Sequence, residues 1–203
     1  YLGITDLLLL RGDKAKSDNR FIPTPDGHAH AIDLCQQINR FNNGQLLGGV
    51  QNEMLTEPFT YGVAGYPEKH DEAMNMETDI ENLKAKVNAG AQYIVTQMFF
   101  DNSKYFAFVK RLRKEGINVP VIPGLKPLTT LNHLTMLPKT FHIDFPKRLS
   151  NELMKCKSND DVKAVGVEWA KHQCRELREN GVPGIHFYTM NASQSVEKIM
   201  NGL

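Results

Sequence analysis

The stretch from Tyr61 to Asp101, YGVAGYPEKHDEAMNMETDIENLKAKVNAGAQYIVTQMFFD, most constrains what this chain can fold into. It sets out, in order, a short apolar segment (Gly62 to Tyr66), a loop bearing Pro67, a long amphipathic segment, a stop at Gly90 and a second apolar segment, Tyr93 to Phe100. Ala73, Met76, Ile80, Leu83 and Val87 recur at steps of three and four, which at about 100° per residue makes one buried stripe. The stretch therefore reads as a strand–helix–strand unit whose helix packs on a sheet. Asp79, Asn82 and Lys86 recur at i, i+3 and i+7, a polar row along one edge of that stripe. Spacing alone allows either a solvated flank or a row that faces a ligand.

The same alternation extends outward. Tyr1 to Arg11, YLGITDLLLLR, is so continuously apolar that it reads as a parallel strand covered on both faces, ending in Arg11, Gly12 and Asp13. An adhesive Arg-Gly-Asp loop needs extracellular exposure. The carboxyl end of a buried strand is instead where parallel α/β folds place ligands. Residues 14–27 are polar and proline-bearing, hence loop, and Ala29 to Phe41 is a helix with Ile32, Cys35 and Ile38 on one face. His28 and His30 have His-x-His spacing, but at a helix start the two imidazoles diverge, so no metal site is expected there. Asn42 to Thr60 is connector. Further on come a helix from Ser103 to Glu115, a strand from Val119 to Leu125, loop and helix from Lys126 to Pro146, a helix from Asp160 to Asn180 closed by Gly181, a strand from Gly184 to Asn191, and a short helix from Ser193 to Asn201.

About five strands alternating with helices predict a parallel α/β sheet in one domain over residues 1–203. A (β/α)₈ barrel of roughly 250 residues with its first units absent would read this way. Periodicity does not separate it from an open doubly wound sheet, although neither GxGxxG nor GxxxxGK[ST] occurs. With 24 Lys plus Arg against 23 Asp plus Glu, no net field selects nucleic acid or an anionic membrane. No apolar run reaches the roughly 20 residues of a membrane span. Cys35, Cys156 and Cys174 are odd in number and lack CxxC spacing, which predicts reduced thiols and a cytoplasmic protein.

The strand-end signatures LLLLRGD (7–13), GVAGYPEKH (62–70), DIENLKAKVNAGAQYIVTQMFFD (79–101), VIPGLKP (121–127) and GIHFYTMN (184–191) together closely resemble the methylenetetrahydrofolate reductase family, in order and spacing over nearly the whole chain. The resemblance implies a TIM barrel that holds FAD at the strand ends. It implies reduction of methylenetetrahydrofolate to methyltetrahydrofolate with NADH or NADPH as donor, for one-carbon metabolism and methionine supply, in a homo-oligomer. On matching positions it assigns Arg11, Gly12, Asp13, His30, Ala31, Tyr66, His70, Ala73, Asp79, Asn82 and Lys86 to the FAD. Asp13 and Gln97 take the catalytic roles: Asp13 near the flavin pyrimidine edge, tuning its potential, and Gln97 contacting folate and nicotinamide in turn. His133 stands where a folate-contacting glutamine is found.

Departures from the family pattern are Ala85 beside the helix lysine, His133, and Ala192 where an arginine follows the last strand. Recognition of the folate's tail then falls to other residues such as Lys126. The first three strands and the family's general-acid glutamate are not in this sequence, so a barrel lacking its first three units, inactive by itself, is expected. No regulatory extension follows Leu203, so control by a C-terminal domain is not expected. The competing readings are a non-catalytic flavin-binding subunit and a metal-dependent TIM-barrel hydrolase; the intact Asp13 and Gln97 disfavour the first, and the scattered histidines disfavour the second.

Overall fold

Five parallel strands lie side by side in chain order in the computed structural model, which describes residues 3–15, 17–18, 20–190 and 193–203. They are β1 (Asp6–Leu9), β2 (Thr60–Gly65), β3 (Tyr93–Met98), β4 (Val121–Leu125) and β5 (His186–Phe187). Between them run α1 (Ala31–Asn42), α2 (Met76–Asn88), α3 (Asn102–Lys114), then α4 (His133–Phe141), α5 (Lys147–Leu153) and α6 (Asn159–Glu179), and α7 (Ser193–Met200) closes the series. In a doubly wound sheet the strand order reverses at a switch point. Here every strand pairs with its predecessor, and the sheet curls into a half-barrel.

Alternation along the strands sorts the two faces. Tyr61, Val63, Ile94, Val121 and Leu125 pack outward against Cys35, Ile38, Ile80, Leu83, Phe108, Leu112, Cys174 and Leu177 of the helices. Each fully buried aliphatic or aromatic side chain contributes about 1.5–3 kcal/mol. A second cluster, with Met98, Phe100, Leu128, Leu137, Leu149, Leu153 and Val162, seats α4 and α5. Gly62, Tyr93 and Val95 have the opposite parity and face the concave side, and a register shift between Val95 and Met98 interrupts the alternation beyond them. Tyr93 lies flat across Gly62, where a Cβ would come 2.1 Å from its ring, and its hydroxyl donates to Leu7 O at 2.9 Å.

Four expectations are corrected. β1 is not covered on both faces: it is the edge strand, paired only with β2, and Leu10 beyond it is 53% exposed. The helix of the central unit starts at Met76, because the Asn75 side chain accepts the Thr78 N–H at 2.8 Å and caps it there. Ala73 is thereby left in the preceding loop. The last strand is only two residues long, its ladder ending where Tyr188 N donates to Leu125 O at 2.9 Å. A further helix, α5, follows the loop-and-helix stretch 126–146. Ala192 lies outside the described residues.

Candidate functional site

At the carboxyl ends of β1 and β2, between the start of α1 and the flank of α2, lies a cavity of about 370 Å³. The loop after β1 brings Arg11, Gly12 and Asp13, the first turn of α1 brings His30 and Ala31, the loop after β2 brings Tyr66, His70 and Ala73, and α2 brings Asp79, Asn82 and Lys86. Every residue assigned to the cofactor therefore lines one space. The edge row of α2 lines that cavity, with Asp79 and Lys86 half-buried and Asn82 exposed at its mouth.

The electrostatics of the row differ from what isolated side chains would suggest. The Lys86 ammonium donates to Ala64 O at 3.0 Å, and among the described residues it makes no ion pair within contact distance. Burial pushes its pKa down, partly offset by the charge of Asp79. Asp79 has one oxygen engaged, Oδ2 accepting the His70 N–H at 2.9 Å, which ties the loop to the helix. His70 Nδ1 accepts the Glu72 N–H at 3.1 Å, placing its ring proton on Nε2, and its ring stands edge-on to Tyr66 with centroids 4.6 Å apart. Burial pushes the Tyr66 phenol up to about 12, so it is a neutral donor.

Arg11 is not a free cation. Its guanidinium grips both oxygens of Glu72 at 2.7 Å and lies 4.5 Å over the ring of Phe21. The hydrogen bond it donates to Glu72 raises the arginine's pKa, and the same bond lowers that of the carboxyl. Glu72, together with Leu10, Ala64, Met74 and Thr78, also lines the cavity and was not singled out in the sequence. Glu72 pairs with a residue 61 positions away in a loop without periodicity, so no local signal could have found it.

The loop between β2 and α2 is held from behind by Glu68. Its Oε2 accepts from Lys104 Nζ and from Asp144 N, the latter at 3.0 Å, and Lys104 also reaches Asp144 at 2.6 Å. Lys69, at φ 78°, closes the loop by donating to His70 O at 2.7 Å and Ala73 O at 2.6 Å.

Gln97 and His133 stand apart from this cavity. Gln97 is half-buried near the end of β3, within the register shift between Val95 and Met98, with Oε1 accepting the Met98 N–H at 3.0 Å. His133 opens α4, its Nδ1 accepting the Thr129 N–H at 3.2 Å. Among the described residues no group of three or more His, Cys, Asp or Glu side chains could hold a metal ion, and no helix is long and apolar enough to cross a membrane.

Comparison with known proteins bears on what the cavity serves. The family model described as methylenetetrahydrofolate reductase matches residues 1–203. The chain belongs to that family. Methylenetetrahydrofolate reductase 1 of Schizosaccharomyces pombe is 34% identical over 99% of the chain and 31% of the relative. Methylenetetrahydrofolate reductase (NADH) 1 of Arabidopsis thaliana is 33% identical over 99% of the chain and 33% of the relative. The 5,10-methylenetetrahydrofolate reductase of Buchnera aphidicola is 31% identical over 94% and 59%. The chain thus spans about a third of the first two reductases. An uncharacterized Clostridium thermocellum protein that binds two copies of 5-methyl-5,6,7,8-tetrahydrofolic acid aligns at TM-score 0.49 and 17% identity over 83% of this chain and 67% of its own, a likeness too weak to build on.

Proposed function

We propose that this chain is the cofactor-holding part of a flavin-dependent reductase that converts methylenetetrahydrofolate to methyltetrahydrofolate at the expense of NADH or NADPH. The observation that carries this reading is the convergence of Arg11, Asp13, His30, Tyr66, His70, Asp79, Asn82 and Lys86, from separate segments of a chain in this family, on one cavity.

The residues present suit FAD. Lys86 and the positive end of α1 offset negative charge, as a pyrophosphate requires, while Asn82 and the second oxygen of Asp79 can accept from or donate to sugar hydroxyls and an adenine amine within their chemistry. The half-buried Lys86 has no ion-pair partner among the described residues, which leaves its charge for a ligand. Arg11 acts as a strut for the cavity wall through Glu72. Asp13, exposed at the cavity rim, opposes negative charge nearby and so lowers the reduction potential of a group bound there.

FAD, when bound, supplies hydride transfer between the nicotinamide and the folate. Gln97 orients the partners: its amide carries both a donor and an acceptor, as the edge of a pterin and a carboxamide each require. The remaining barrel units, the general acid, a homo-oligomeric state and a cytoplasmic setting complete the proposal. A non-catalytic flavin-binding subunit would need the cavity but not a substrate-contacting glutamine at the end of β3.

The complete protein carrying this chain should purify with a flavin absorption spectrum that bleaches on addition of NADH or NADPH and returns on addition of methylenetetrahydrofolate. A bound flavin that the nucleotide reduces but the folate does not reoxidise would overturn the reading.

A further inference from the structure

Within the loop that brings Tyr66 and His70 to the cavity, Glu68 reaches out to other elements, and its side chain is only 9% exposed. Oε2 accepts from both Lys104 Nζ and Asp144 N, while Oε1 is buried with no hydrogen-bond partner among the described residues. Burial pushes the carboxyl's pKa up, against the pull of Lys104. A buried carboxylate with one oxygen unpaired is an unfavourable way to fasten a loop, and an apolar side chain of the same size would fill the place with less penalty. What the carboxylate adds is a fixed direction.

The far end of the fastening is rigid. Lys104 stands in the first turn of α3 beside the buried Tyr105, and Asp144 lies between Ile143 and Phe145, which pack with Met98 and Phe100 at the end of β3. The rings of Phe100 and Phe145 are 4.7 Å apart. Lys104 also donates to Asp144 Oδ2 at 2.6 Å, so one ammonium joins the segments that follow β2, β3 and β4. The near end is strained. Lys69, next to Glu68, has φ 78°, a left-handed conformation that a residue with a side chain keeps only where its surroundings impose it. Two anchors flank it: Glu68 before it, and His70 after it, whose N–H donates to Asp79 Oδ2 at 2.9 Å. If the first anchor is released the turn can relax, and His70 moves against Tyr66, to which its ring now stands edge-on.

We propose that Glu68 is a positioning residue: by tying the cavity-wall loop to Lys104 and to the Asp144 backbone, it fixes Tyr66 and His70 on the wall where the cofactor binds, in register with the end of β3 that carries Gln97. This rests on the function proposed above, in that the cavity takes FAD. Glu68 touches neither cofactor nor substrate and acts through the loop.

The test uses the complete protein. Glu68→Met keeps the volume and removes both accepted bonds; Lys104 retains Asp144, and water can serve the exposed Asp144 in place of the lost oxygen. The denaturant midpoint of the FAD-free protein should therefore equal or exceed the parent's. Amide hydrogen exchange over residues 69–73 should nevertheless accelerate, the FAD dissociation constant should rise about tenfold, and the visible circular dichroism of the flavin at saturation should change as Tyr66 and His70 shift. Glu68→Gln, which still offers an oxygen to Lys104 and Asp144 N, should recover most of the affinity and the parent's flavin signature. Unchanged exchange in Glu68→Met would overturn the proposal, and so would unchanged FAD affinity together with an unchanged flavin signature. A midpoint that falls in step with affinity in both variants would make Glu68 a structural residue only and overturn it as well. If the parent binds no flavin, it is the proposed function that fails; exchange over residues 69–73 then still decides whether Glu68 positions the loop.

Discussion

Lys86 and Arg11 are both cations at one cavity, and their surroundings give them different work. Arg11 is satisfied by Glu72 and stacked on Phe21, so its charge holds the rim together. Lys86, half-buried and donating to Ala64 O, keeps its charge for whatever enters. Lys86→Ala in the complete protein should therefore weaken FAD retention by about 1.5–3 kcal/mol, roughly one to two decades in dissociation constant; equilibrium titration of flavin fluorescence checks it. The Arg11–Glu72 link carries a pH signature. The folded pKa of Glu72 is lowered by its bond to Arg11, so the stabilisation is complete above the ordinary carboxylate range and is lost as pH falls through the folded value. Denaturant midpoints of wild type and Glu72→Gln should differ near pH 7 and converge below about pH 4. Both partners touch solvent, so the difference will be small.

At the scale of elements, the site depends on how closely helices and strands approach. Asn75 starts α2 at Met76 and so leaves the chain from Tyr66 to Asn75 free to form the cavity wall, clamped by Lys104 through Glu68 and closed by Lys69. On the far side α6 presses Gly166 against the segment after β4, where an added Cβ would meet Leu128 O at 2.3 Å. A backbone carbonyl cannot swing aside as a flexible side chain can. Gly166→Ala should accordingly destabilise the fold by about 1–3 kcal/mol despite the better helix propensity of alanine, read as a lowered denaturant midpoint.

At the scale of the whole molecule, the half-barrel has two edges. β1 and β5 each pair on one side only, and the exposed side of β1 lies next to Ile4 and Leu10, 60% and 53% exposed. Open strand edges flanked by apolar side chains recruit other strands. Residues 1–203 produced alone should therefore self-associate with rising concentration in sedimentation velocity, and the complete protein should not do so through these edges. A monodisperse monomer at all concentrations would show that the edges are covered within the chain.

Much of this was legible along the sequence. The three- and four-residue apolar steps of Ile80, Leu83 and Val87 and the apolar runs at 62–66 and 93–100 determined a strand–helix–strand unit, because those periods are local consequences of helix and strand geometry. Gly90 and Gly181 marked helix ends for equally local reasons, whereas the apolar stripe from Ala73 implies an earlier start for α2 than the Asn75 cap allows. The strand-end motifs named the family. Tertiary structure decided what local periods do not encode: that the strands lie in simple sequential order, that β1 is an edge, and that Asp79, Asn82 and Lys86 line a cavity. It also decided the partners of each charge. Glu72 with Arg11, Glu68 with Lys104, and Lys126 with no carboxylate at all are relations between segments 36 or more residues apart or across the sheet. Charge and desolvation act through space, so only the folded chain determines which ammonium is spent on a neighbour and which is kept for a ligand.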